Sequence, residues 1–232
     1  MKRLWIIVLL SIVFVGILSF PRLFLLSRVE EELQAELAAA LGTEQLELAL
    51  RAPWGWELVL GHIPGLSLAA RNAVLEGVEA AAVHLKAEEI LFQPWTLFSR
   101  GELVLSGISQ LTGFLVITEQ ALNEVFWREV DPSRQLWLEV SPEGLALVGT
   151  VNIWNAEVSL RILSQVVVEG GALRFVVKDV AVQEARIPPL LLEAFGESYN
   201  FSLDVGELPL GVEMQGVELL DHEIKIRIGG QQ

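Results

Sequence analysis

The chain has 232 residues, is 52% hydrophobic with a mean hydropathy of +0.48, and carries a formal charge of −14. Its first 28 residues hold Lys2, Arg3, Arg22 and Arg28 and no acid, so the rest carries −18 (12 cations against 30 acids). A body that acidic argues against nucleic acid as a partner, because phosphate contacts need clustered Lys and Arg. The absence of cysteine excludes disulfides, thiolate metal sites and cysteine nucleophiles.

Lys2-Arg3 is followed by Leu4 to Phe20 without a charge, and Pro21-Arg22 by a second apolar patch, Leu23 to Leu26. At ~1.5 Å per residue, Leu4 to Leu26 spans about 34 Å, enough to cross a bilayer. No small-residue cleavage pattern follows it. The sequence therefore predicts a single-pass transmembrane signal anchor over residues 1–27, in the inner (cytoplasmic) membrane. Lys2 and Arg3 stay in the cytoplasm and the body lies on the extracytoplasmic side. A cleaved signal is the alternative and leaves the body on the same side.

Residues 28–42 read as an amphipathic connecting helix. Val29, Leu33, Leu37, Ala40 and Leu41 fall on one stripe, with Glu30, Glu31, Glu32 and Glu36 off it and Gly42 placed to end it. From Leu46 the period is two. Leu46, Leu48 and Leu50 alternate with polar residues, and Pro53-Trp54-Gly55-Trp56 interrupts them. Leu58 and Leu60 resume the pattern, and Gly61, Pro64 and Gly65 break it again. Strands are expected over Leu66 to Val74 and Val78 to Phe92, then a hydrophobic turn at Gln93-Pro94-Trp95-Thr96-Leu97-Phe98, then a strand from Glu102 to Ile117.

The period changes at Ile117-Thr118-Glu119-Gln120-Ala121-Leu122-Asn123. Leu122, Val125, Phe126 and Glu129 recur at spacings of three and four, the mark of one helix face. Thr118 is placed to cap the first turn, and Asp131-Pro132 stops the helix. Alternation then resumes with Leu136, Leu138 and Val140, and continues to Ile162 after a turn at Pro142-Glu143-Gly144. Glu169-Gly170-Gly171 reads as a hairpin turn leading to Leu173, Phe175 and Val177. Ile187-Pro188-Pro189 opens an expected helix, Leu190 to Ser198. Phe201, Leu203 and Val205 make another strand. A last hairpin turns at Asp221-His222 into Ile224, Ile226 and Ile228. No linker divides the body, so residues 43–232 are expected to form one β-rich domain.

Catalytic signatures are missing from the sequence. His62, His84 and His222 have no partner at helical spacing, and the neighbours in Asp221-His222-Glu223 point to opposite faces of a strand. No nucleophile elbow, phosphate-binding glycine loop or zinc-binding helix motif occurs. Asn200-Phe201-Ser202 matches a glycosylation sequon. The expectation is a protein that is not an enzyme and uses neither cofactor nor metal.

In combination, the N-terminal apolar segment, Pro94-Trp95-Thr96-Leu97-Phe98, Ile117 to Asn123 and the ending Leu208-Pro209-Leu210-Gly211 to Ile228 resemble the LmeA-like phospholipid-binding family of bacterial envelopes. The resemblance covers roughly Arg28 to Ile228. It implies an α+β fold similar to the tubular lipid-binding domains: a strongly curved antiparallel sheet wrapped around one or two amphipathic helices. It also implies extracytoplasmic binding of phospholipid in an apolar groove.

The strands supply more apolar face than one short helix can cover. The expected lining is Leu122 and Phe126 from the central helix with Leu136, Leu138, Val140, Phe175, Val177, Phe201, Leu203, Ile224 and Ile226 from strands. Trp54, Trp56, Trp95 and Phe98 lie in proline-marked turns, where tryptophan suits a membrane interface. The alternatives are that these rings plug the ends of the core, and that the body is a fully packed anchored scaffold.

Overall fold

The computed structural model describes residues 25–153, 156–169, 172–182, 185–186, 202–204 and 212–230. The expected anchor up to residue 24, the expected helix Leu190 to Ser198, and Phe201 and Val205 lie outside the described residues.

Residues 25–40 form helix α1. Val29, Leu33, Leu37 and Leu41 are all buried, at the spacing of four that keeps side chains on one face, whereas Ala40, expected on the same stripe, is off that spacing and exposed. Gly42 ends the helix with φ 57, the left-handed conformation that suits glycine. Strand β1 (Leu46–Arg51) follows, then a single helical turn, α2 (Trp56–Val59). Next come β2 (His62–Leu75) and β3 (Val78–Phe92), closed by Glu76-Gly77 with φ 48 and 84, as a tight hairpin with a primed turn requires. Helix α3 (Pro94–Arg100) leads to β4 (Leu105–Thr118), and helix α4 (Glu119–Glu129) follows directly. The remaining strands are β5 (Leu136–Ser141), β6 (Gly144–Ile153), β7 (Ala156–Glu169), β8 (Ala172–Val182), β9 (Ala185–Arg186), β10 (Ser202–Asp204), β11 (Glu213–Leu220) and β12 (Glu223–Gly229).

Every ladder between them is antiparallel. The protein is thus α+β and mostly antiparallel sheet. Where the family resemblance implies one curved sheet, the strands divide between two. The first has the order β1-β2-β3-β4-β12-β11, and the second β10-β8-β7-β6-β5, with β9 beside β8.

The division has a physical cause at the outer edge of β5, where side chains of α4, Asp131 just after it and the backbone of His222 stand in for a neighbouring strand. Leu136 N–H donates to Asp131 Oδ2 (2.7 Å), and Leu136 C=O accepts from Trp127 Nε1 (2.7 Å). Leu138 N–H donates to Asn123 Oδ1 (2.7 Å), and Leu138 C=O accepts from Asn123 Nδ2 (2.8 Å). Val140 N–H donates to Glu119 Oε2 (2.7 Å), and Val140 C=O accepts from His222 N–H (3.1 Å). Four residues of helix advance ~6 Å and two residues of strand ~6.7 Å, so Glu119, Asn123 and Trp127 keep step with Val140, Leu138 and Leu136. Each backbone group of the edge that would otherwise go unpaired has a partner.

Four expectations about elements change. Leu58 belongs to the α2 turn rather than to a strand, and Pro94 to Phe98 to a helix rather than a turn. β4 begins at Leu105, not Glu102. β2 begins at His62 and runs through Pro64 and Gly65. Pro64 is tolerated because β1 ends opposite Gly65, so no ladder partner on that side needs its missing N–H. Glu89 (φ 52) and Asn72 (φ 51) are irregular positions in the β2–β3 ladder, and the buried positions shift parity around them. Such irregularities bend and twist a strand pair.

Asp131 closes the turn after α4. Burial pushes its carboxyl up, but the Ser133 hydroxyl and the N–H groups of Leu136, Ser133 and Gln135 outweigh that and hold it below its ordinary value. A depressed folded value means the carboxylate stabilises the fold above the unfolded value of about 3.9, and that this is lost as pH falls through the folded value. Between about pH 5 and pH 2.5 the wild-type melting temperature should therefore fall more steeply than that of Asp131→Asn. Parallel melting curves for the two proteins across that range would show that the carboxylate contributes nothing.

Candidate functional site

The interior between the sheets is almost wholly aliphatic. The buried face of the first sheet includes Leu68, Leu85, Leu115, Ile117, Ile224 and Ile226, and that of the second Leu136, Leu138, Leu145, Leu160 and Ile162. α1 and α4 join the same cluster. Among the described residues Thr43, Asn123 and Ser164 are buried polar residues, and Glu57 Oε2 in α2 is a buried oxygen without a hydrogen-bond partner. The Thr43 hydroxyl donates to Arg71 C=O at 2.7 Å, and Asn123 is held on β5.

Of the expected lining, Leu122, Phe126, Leu136, Leu138, Val140, Ile224 and Ile226 come together in this interior and are buried. Phe175 packs against it half-buried. Val177 lies on β8 and Leu203 on β10, within the second sheet, and Phe201 lies outside the described residues.

Burial is not uniform along the first sheet. Where β2 meets β3 through Glu76-Gly77, the inward side chains Leu75, Val78, Ile117 and Ile224 are sealed. Towards the opposite end, where β2 begins, the inward Leu50, Leu105 and Ile108 are only partly buried, as are Leu25 and Leu26 at the start of α1. Sequence reasoning missed this end as the place where the apolar interior comes nearest to solvent. Alternation marks a face but not how deep it lies.

The same end carries the aromatic turns. α2 sets Leu58 inward, 1% exposed, and leaves Trp54, Trp56 and Leu60 outward at 75%, 39% and 81%. In α3 Leu97 points in while Trp95 is 78% exposed, and Leu91 and Val104 beside it are also exposed. Pro94 begins α3 and Gly101 ends it in the left-handed region, so the short helix is framed by its own sequence. The two turns abut: Phe92 N–H donates to Gly61 C=O at 2.8 Å, and a Cβ on Gly61 would lie 2.3 Å from Phe92 O. Only glycine permits that approach. The side chain of Phe98 is not among those described.

The three histidines serve separate places. His62 Nε2 lies 2.6 Å from Glu89 Oε2, the His84 ring stacks on Phe114 at 4.8 Å, and His222 Nδ1 lies 3.1 Å from Glu119 Oε2. Among the described residues no cluster of three or more His, Asp or Glu could hold a metal ion. No described helix is long and apolar enough to cross a membrane.

The conspicuous sequence motif proves to be a fold element. Thr118 caps α4 by accepting from Ala121 N–H at 3.2 Å, Glu119 and Asn123 hold β5, and Ala121 and Leu122 are buried. No curated protein and no solved structure matches the chain. A family model does, over residues 22–228, nearly the whole chain. With a continuous aliphatic interior, the motif that builds it and this match, the chain belongs to the LmeA-like phospholipid-binding family.

Proposed function

We propose that the protein binds phospholipid by taking acyl chains into the interior between its two sheets, and that it works without a catalytic step. The N-terminal segment over residues 1–27 anchors it to the inner membrane, and the body stands on the extracytoplasmic side. The observation that carries this reading is the gradient of burial: an aliphatic interior sealed at one end and partly uncovered at Leu50, Leu105 and Ile108 at the other. Each acyl methylene buried there contributes about 0.8 kcal/mol, so ~10 of them hold a lipid without a charged headgroup contact. An acidic body is therefore compatible with phospholipid. The curved, tubular form of the groove implied by the family resemblance is part of the proposal.

A second reading, an anchored scaffold with a filled core, is favoured by the complete burial of Leu122, Ile224 and Ile226. Ile108→Trp separates the two. Its larger side chain stands at the partly buried end, so the folded variant should retain severalfold less extractable phospholipid than wild type at a similar melting temperature. Equal lipid in the two folded proteins would remove the proposed mouth.

A further inference from the structure

At this end Trp54 and Trp95 stand 75% and 78% exposed, and a separate observation indicates what meets them. Helix α1 has a direction relative to β2. Val74 N–H donates to Leu41 C=O at 2.8 Å, and Gln34 Nε2 donates to Leu46 C=O at 3.4 Å. Leu46 stands opposite Ala70. Going back from Leu41 to Gln34 therefore moves from Val74 towards Ala70, that is, towards the start of β2. The helix continues ~14 Å further to Leu25, or about four more strand residues. The chain before residue 25 joins the body on the side of Trp54, Trp56, Leu60 and Trp95. That preceding chain contains Leu4 to Phe20, uncharged and apolar.

We propose that this end of the molecule docks on the lipid bilayer, with Trp54, Trp56, Leu60 and Trp95 seated at the level of the headgroups and upper acyl chains. A cluster of exposed apolar side chains rimmed by polar ones marks an interaction surface rather than scattered surface residues. Tryptophan selects the interface among such surfaces, because its ring is apolar and its N–H can stay wet. Rigid pegs set the depth: Leu58 and Leu97 are buried, so the short helices α2 and α3 hold the rings outward. Attraction to anionic lipid is not the driving force, since the body is strongly acidic. Docking there places the partly buried Leu105 and Ile108 towards the bilayer, so an acyl chain could pass from membrane to interior without crossing water. The inference rests on the lipid-binding reading only for that last step.

The chain has no cysteine, so single labels are clean. Leu60→Cys, Trp95→Cys and Glu79→Cys would each carry an environment-sensitive fluorophore. Glu79 is exposed and pairs with Val74 at the opposite end. The full chain is reconstituted in phosphatidylcholine vesicles containing a quencher on the upper acyl chain. Labels at 60 and 95 should shift to the blue and be quenched severalfold, at low and at high salt, while the label at 79 stays in water. Labels at 60 and 95 that behave like the one at 79, whether all quenched or all wet, would overturn the docking. Phospholipid extracted from the same preparations reports on the interior separately. Bound lipid with wet labels leaves the lipid reading standing without the docking, and quenched labels without bound lipid do the reverse.

Discussion

Replacing Asn123 with Leu should cost about 2–5 kcal/mol of stability, a large share of the ~5–15 kcal/mol that holds an ordinary domain together. Asn123 is 6% exposed and pairs with both Leu138 N–H and Leu138 C=O, neither of which has another strand beside it among the described residues. Removing the side chain strands two buried backbone groups at once, each worth about 1–3 kcal/mol. Leucine has a similar volume, so the loss reports hydrogen bonding and not a cavity. Chemical denaturation of the two proteins measures it. A difference under about 0.5 kcal/mol, the ordinary scale of a surface substitution, would mean that α4 does not support the β5 edge.

Phe126→Ala should be at least as damaging, at about 3–5 kcal/mol. Phe126 is 2% exposed on the face of α4 that packs into the interior, alongside Leu122 and Val125. Truncating it removes buried apolar area and leaves a void that the surrounding sheets cannot close without moving. Trp127, one residue on, makes a useful contrast. Its ring is partly buried, and its Nε1 donates to Leu136 C=O while Arg134 lies over its face at 4.8 Å. Trp127→Phe keeps most of the ring and loses the hydrogen bond, so it should fall well short of the Phe126→Ala loss. A Phe126→Ala loss of no more than about 0.5 kcal/mol, the scale of a surface substitution, would place Phe126 outside the packed interior.

Long periodic elements were legible in the sequence. The α1 stripe apart from Ala40, the apolar α4 face of Leu122, Val125 and Phe126 with its Thr118 cap, β3 from Val78 to Phe92 and the turn at Asp221-His222 lie where spacing and turn chemistry put them. Shorter or irregular features were not legible, for identifiable reasons. A helix of four residues such as α2 cannot show a period of 3.6, and α3 shows barely two turns of it. β2 hides its start because the buried positions change parity, which breaks the alternation that would reveal a strand. The two-sheet division was encoded in Glu119, Asn123 and Trp127 at spacings of four. Read as a helix alone, Glu119 suits the positive end of the dipole. Only the three together match every second residue of a strand.

Leu122, Phe126, Leu138 and Ile226, which spacing sets on apolar faces, lie in one buried cluster. Its depth was beyond the pattern. A face that lines a groove and a face that fills a core use the same residues, and the partly buried end emerges only from the register of β2, β3 and β4. The tryptophans were expected in turns, whereas Trp56 and Trp95 stand on the short helices α2 and α3. The direction of α1, which relates them to the apolar N-terminal segment, needed the bonds of Leu41 and Gln34.

The central claim is that the interior holds phospholipid. Mass spectrometry of the full chain, released from detergent under non-denaturing conditions, measures this directly. The expected result is a protein mass increased by one or more phospholipids, with the increment persisting after detergent that strips loosely attached lipid and reduced in Ile108→Trp. A folded wild-type protein that shows only its bare mass, even after incubation with phospholipid vesicles, would contradict the account and leave the filled scaffold in its place.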